Sequence, residues 1–139
     1  MGQRHKAREL ALQILYQIEM QQGEPKSVIG RFAGSEEYHE EAREFAFELV
    51  EGTYRNRREI DELIEKQSSH WKLSRMSAVD RNILRLGVYE LSYLHEVPTS
   101  VAIDEAIEVA KRFGTENSGA FINGILDNIA KHVRKDGVS

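Results

Sequence analysis

Apolar residues recur at intervals of three and four along almost the whole chain, with no competing alternation at two, so the pattern predicts an all-helical protein. Leu10, Ala11, Ile14, Leu15 and Ile18 form the stripe of a first helix from about Lys6 to Gln22, which Gly23-Glu24-Pro25 ends. A weak segment follows at about Val28 to Phe32. Ser35, with Glu36 and Glu37 after it, reads as the N-cap and first-turn acids of a long helix. The buried face of that helix is Ala42, Phe45, Ala46, Leu49, Val50 and Thr53, and Arg55 to Arg58 is its basic C-terminal end. Seven glutamates between Glu36 and Glu51 form a polar face open to solvent or to a basic partner. Ile60, Leu63 and Ile64 mark a short helix beyond it.

A polar break from Ser68 to Ser74 separates this half from a second one that is denser in core positions. Ser77 caps a helix carrying Val79, Ile83, Leu84, Gly87, Leu91 and Leu94. Gly87 lies on the apolar stripe, where glycine costs about 1 kcal/mol against alanine, and so predicts a close helix contact. Pro98 and Thr99 lead into a helix with Ile103, Ala106, Ile107, Ala110 and Phe113, stopped by Gly114. The last helix repeats Ile122, Ile125, Leu126, Ile129, Ala130 and Val133, with Asn123-Gly124 inside it permitting close packing. Phe121 stands roughly 110° from the centre of that stripe. Two roles are open to it: a ring folded over the loop from Gly114 to Gly119, or a ring that stacks on an unpaired base.

Charge changes the picture at one place. The formal net charge is −4, yet the first eight residues hold Arg4, Lys6 and Arg8 with no acid, which leaves −7 on the rest. A local cluster of this kind steers phosphate without a basic protein, since exposed charges act over a Debye length of about 8 Å. The same residues also suit a disordered, solvated terminus. Cysteine is absent, so disulfides, thiolate metal sites and cysteine nucleophiles are excluded. No stretch reaches the roughly 18 to 20 apolar residues of a membrane span, and the N-terminus lacks a signal-peptide core, so a cytoplasmic protein away from membranes is expected.

Catalysis and cofactors find no foothold. His5, His39, His70, His95 and His132 are widely separated, with no metal-ligand spacing, so neither a metal site nor a cofactor is expected. Neither a Walker sequence nor a G-x-G-x-x-G motif is present, and acids such as Glu62 have i,i+4 partners such as Lys66. The expectation is a protein that is not an enzyme.

Three stretches in order, RHKARELALQILY, VDRNILRLGVYEL followed by VPTSVAIDEAIEVAKRFG, and GAFINGILD, resemble the NusB family of bacterial transcription antitermination factors across essentially the whole chain. The resemblance implies a fold of about seven helices in two helical subdomains, about 1–67 and 74–139. It implies binding of boxA RNA, usually as a heterodimer with NusE, a small-subunit ribosomal protein. That complex works with other Nus factors on RNA polymerase to suppress premature termination, notably on ribosomal RNA operons. Carried over by position, Arg4, His5, Lys6 and Arg8 meet phosphates, and Asn117, Ser118 and Phe121 lie near bases. Asp80 and Tyr16 are the positions implied to meet NusE; Asp80 also suits a capping box with Ser77, and Tyr16 an ordinary half-buried tyrosine.

The leader is less arginine-rich than in some relatives, and Asn117 stands where some carry an acid, so the two departures act on phosphate binding in opposite directions. A homodimer that covers the RNA face is compatible with the sequence, which holds no feature that calls for one. NusB-like domains also occur fused to ribosomal RNA cytosine methyltransferases, but 139 residues leave no room for the catalytic α/β domain.

Overall fold

The computed structural model describes residues 2–68 and 71–134, and these form seven α-helices and one 3-10 turn with no strand among them. The helices are α1 (Gly2–Gln21), α2 (Pro25–Phe32), α3 (Glu40–Arg55), α4 (Arg57–Gln67), α5 (Ala78–Tyr93), α6 (Thr99–Phe113) and α7 (Ser118–Val133). The 3-10 turn, Leu73–Arg75, overlaps the end of the polar break, and its Leu73 is buried. One core runs through the molecule, with Leu10, Ile14, Leu49, Ile64, Leu84 and Leu126 among its fully buried side chains.

α1 is the hub: it packs against α3 and α5 and touches α2 and α6. A helix contacted on several sides is buried around much of its circumference, so Ala7, Leu12 and even Arg8 and Glu9 join the predicted stripe. The helix also starts at Gly2 rather than near Lys6. Its first turns would be marginal alone, and tertiary contacts hold them: the Arg4 guanidinium lies 4.1 Å over the Phe45 ring, and His5 sits between Glu9 and Glu105. α1 stops where Gln22 takes a left-handed φ of 53°.

Two boundaries differ from the sequence expectation. Ser35 accepts the Glu37 N–H in a turn, whereas His39 caps α3, its Nδ1 accepting the Glu41 N–H at 3.3 Å. Asn56 divides the arginine run between two helices, because its side chain donates to the Gly52 carbonyl at 2.8 Å and ends α3 there. The expected close contact at Gly87 is present: a Cβ at that position would lie 2.8 Å from Leu126 Cδ1. A second contact of this kind, between Gly52 on α3 and the Tyr89 ring on α5, would place a Cβ 2.2 Å from the phenol.

Helix directions set the geometry of the surface. Arg8 pairs with Glu90 and Glu19 with Arg81, so α1 and α5 are antiparallel. Leu126 faces Gly87 while Arg134 donates to the Leu91 carbonyl at 2.9 Å, so α7 runs with α5. Arg134 also donates to the carbonyls of Glu90, Leu94 and Val97, which satisfies the otherwise open C-terminal end of α5.

Candidate nucleic-acid interface

The leader forms the first turns of α1. Arg4 and Lys6 are exposed, and Arg4 is held by the Phe45 face while its charge stays accessible to solvent. His5 is half-buried, with Nδ1 2.8 Å from Glu105 Oε1 and Nε2 3.2 Å from Glu9 Oε2.

Arg8 departs from the expected phosphate contact. It is 5 % exposed, and its Nε and one terminal nitrogen donate to the two Glu90 carboxylate oxygens at 2.8 and 2.7 Å. Burial opposes its charge, but the hydrogen bonds and field of Glu90, with Glu105 at 3.5 Å, outweigh that opposition and raise its pKa. Its guanidinium therefore faces the protein interior. Neighbouring Glu9 is buried as well, and Arg112 from α6 donates to it at 2.7 Å.

At the start of α7, Asn117 is exposed and occupies the N-cap position with its side chain free of any capping bond. Ser118 is 1 % exposed, and its Oγ accepts the Thr115 N–H at 2.9 Å. Its hydroxyl thus fixes the turn between α6 and α7 and is not presented to a ligand. That turn also needs Gly114, where a Cβ would lie 2.4 Å from Ser118 Oγ. Phe121 is half-buried, and its ring meets Trp71 edge-on, with centroids 5.8 Å apart at 79°. The leader lies toward the C-terminal end of α5, where Arg8 meets Glu90, and this ring toward the N-terminal end, five residues before Leu126 on a helix that runs with α5.

Asp80 and Tyr16 come to the same end of the molecule. Glu19, one turn beyond Tyr16, accepts bonds from Arg81 and from Asn82 at 3.1 Å, next to Asp80. The Ser77 Oγ accepts the Asp80 N–H at 3.1 Å, which is one half of the expected capping box. The Asp80 Oδ1 is buried without a hydrogen-bond partner. Tyr16 is exposed, and so is Met20 one turn on.

Behind this end, Arg81 and Arg85 bind Glu19, and Arg85 also binds Asp61 at 2.8 and 3.1 Å, tying α1, α4 and α5 together. Burial raises the Glu19 pKa, but bonds from Arg81 and Asn82 with the Arg81 and Arg85 charges outweigh that and bring it below the ordinary 4.5. A lowered carboxylate pKa stabilises the fold above its unfolded-state value, and that stability is lost as pH falls through the folded-state value. Urea midpoints are therefore expected to decline below about pH 4.5, and Glu19→Gln to flatten part of that acid limb. An unchanged acid limb in the variant would remove Glu19 as its source.

His70 and Ser69 lie outside the described residues; among these, no group of three or more His, Asp or Glu is placed to hold a metal ion. No described helix is long and apolar enough to cross a membrane. Sequence reasoning missed Trp71, whose only signal was a single large aromatic in an otherwise polar break, and missed the acids that hold His5 and Arg8.

The arrangement is that of a small all-helical protein whose surface offers cations and aromatic rings at helix ends. Residues 5–131 match the model of the NusB family, and the chain belongs to that family. It is 46 % identical over 136 residues to the transcription antitermination protein NusB of Desulfatibacillum aliphaticivorans, covering 98 % of this chain and 95 % of that one. A solved structure of T. maritima NusB superposes with a TM-score of 0.85 at 43 % identity, over 96 % of this chain and 94 % of the other. The crystal structure of antitermination factors NusB and NusE in complex with dsRNA contains a chain similar to this one, with a TM-score of 0.85 and 32 % identity over 95 % and 98 % of the two chains. The family is one of transcription antitermination factors and not of enzymes.

Proposed function

We propose that this protein is a cytoplasmic transcription antitermination factor that binds boxA RNA of nascent transcripts, notably those of ribosomal RNA operons, together with NusE. With other Nus factors on RNA polymerase it suppresses premature termination. The observation that carries this reading is the family match over residues 5–131, joined to the likeness with a NusB chain solved with NusE and RNA.

The geometry supports a division of labour. Arg4 and Lys6 supply exposed charge for phosphates, with His5 beside them between its two carboxylates. Asn117 and the Phe121–Trp71 pair lie at the other end of the strand's path, where bases are read. Arg8 and Ser118 act indirectly, holding α1 and the start of α7 in place. Asp80, with its unpaired carboxylate oxygen, and Tyr16 form the NusE-facing end.

The test is fluorescence anisotropy of labelled boxA RNA and a scrambled control, titrated with this protein alone and with its cognate NusE. Tighter, boxA-selective binding in the presence of NusE is expected. Absence of selective binding under both conditions would overturn the reading.

A further inference from the structure

We infer that Trp71 is a base-stacking residue for single-stranded RNA, its indole forming the outer face of a platform that Phe121 supports from beneath. The inference rests on the proposed RNA-binding reading and extends it to a segment outside any helix.

Trp71 is 52 % exposed, and its ring meets half-buried Phe121 edge-on at 5.8 Å. The edge-on contact braces the ring while half of its surface stays exposed, and an exposed, braced ring is what stacking on a base requires.

Hydrogen bonds to Ser68 and Glu65 hold the backbone at Trp71 and Leu73. Ser68, itself buried, donates through its hydroxyl to the Trp71 carbonyl at 2.6 Å and accepts the Trp71 N–H on its own carbonyl at 3.2 Å. Two residues on, Leu73 is buried and its N–H donates to Glu65 at 3.1 Å. A backbone held in this way costs less to order on binding.

Charge complementarity selects nucleic acid as the occupant. Lys72 and Arg75 follow Trp71 within one turn's length of chain, and both are exposed and free of ion pairs among the described residues. Exposed cations close in the chain to an exposed aromatic ring suit the phosphates and bases of a single strand.

Trp71 is the only tryptophan in the chain, so its emission reports this ring alone. The wild-type protein is titrated with a short single-stranded boxA RNA while intrinsic emission and the anisotropy of the labelled RNA are followed together. Quenching that saturates with the anisotropy curve is expected, with Trp71→Leu binding about tenfold more weakly and Trp71→Phe keeping most of the affinity. Thermal melts of the variants establish that they are folded.

Emission that stays constant while anisotropy shows bound RNA, or wild-type affinity in Trp71→Leu, overturns the inference and leaves the proposed function intact. Anisotropy that does not change for any RNA, with or without NusE, overturns both.

Discussion

Arg8→Ala is expected to destabilise the protein by about 3–5 kcal/mol, the range found when one partner of a buried ion pair is removed. The truncation leaves the Glu90 carboxylate 2 % exposed and without its bidentate partner, next to a second acid, Glu105. Against a total stability of about 5–15 kcal/mol for a domain of this kind, that is about a fifth of the whole or more. The double variant Arg8→Met with Glu90→Leu is expected to recover most of the loss, because it removes both buried charges and keeps similar volume. Urea unfolding of the two variants checks this. A single variant within about 1 kcal/mol of wild type would refute a structural role for the pair. The apolar double variant also separates two roles for Arg8, since wild-type RNA affinity in a folded protein that lacks the guanidinium identifies it as a positioning residue.

The helix register alone carried a signal for this pair. Arg8 lies three, four and seven residues before Ala11, Leu12 and Leu15, and Glu90 lies three, four and seven after Gly87, Leu86 and Ile83. Each charge therefore sits on an apolar face, which is where opposite charges have to find one another. What the sequence could not supply was the pairing itself, across 82 positions of chain. The cluster of positive charge at the N-terminus suggested a uniform leader, and packing divided it: Arg4 and Lys6 point outward, His5 is shared by two acids, and Arg8 turns inward.

Helix positions were legible wherever a long apolar repeat ran without interruption, as in α5, α6 and α7. They were less legible where a local side-chain bond decides the boundary. His39 in place of Ser35, and Asn56 within the arginine run, are choices made by single hydrogen bonds of 3.3 and 2.8 Å that periodicity does not encode. The same holds for the start of α7. Ser118 and Asn117 are adjacent polar residues in the sequence, yet one hydroxyl closes the turn and the other side chain is left exposed. Phe121 was recognisable as a ring outside its stripe, but its neighbour Trp71 comes from within the chain's polar break, 50 positions away, and became visible only once α4 and α7 were packed together.

The affinity for boxA RNA is expected to fall about fifty-fold between about 50 and 200 mM salt. Each phosphate neutralised on a single strand contributes about 0.7 to the logarithmic salt slope, so four contacts give a slope of about −2.8. The four are the exposed cations beside the proposed path: Arg4 and Lys6 on α1, Lys72 and Arg75 around Trp71. Arg8 is not counted, because Glu90 already neutralises it within the folded protein.

Arg4→Ala with Lys6→Ala should halve the slope, leaving a loss of about sevenfold over the same salt range. Scrambled RNA should weaken in parallel, since phosphate contacts carry no sequence information. An unchanged slope in the double variant would remove the leader from the RNA surface, and a wild-type slope nearer −3.5 would return a fifth contact to it. Selectivity for boxA over the scrambled RNA should instead respond to Trp71 and Phe121, so the slope change in the leader variant and the selectivity change in the aromatic variants report on phosphate and base contacts separately.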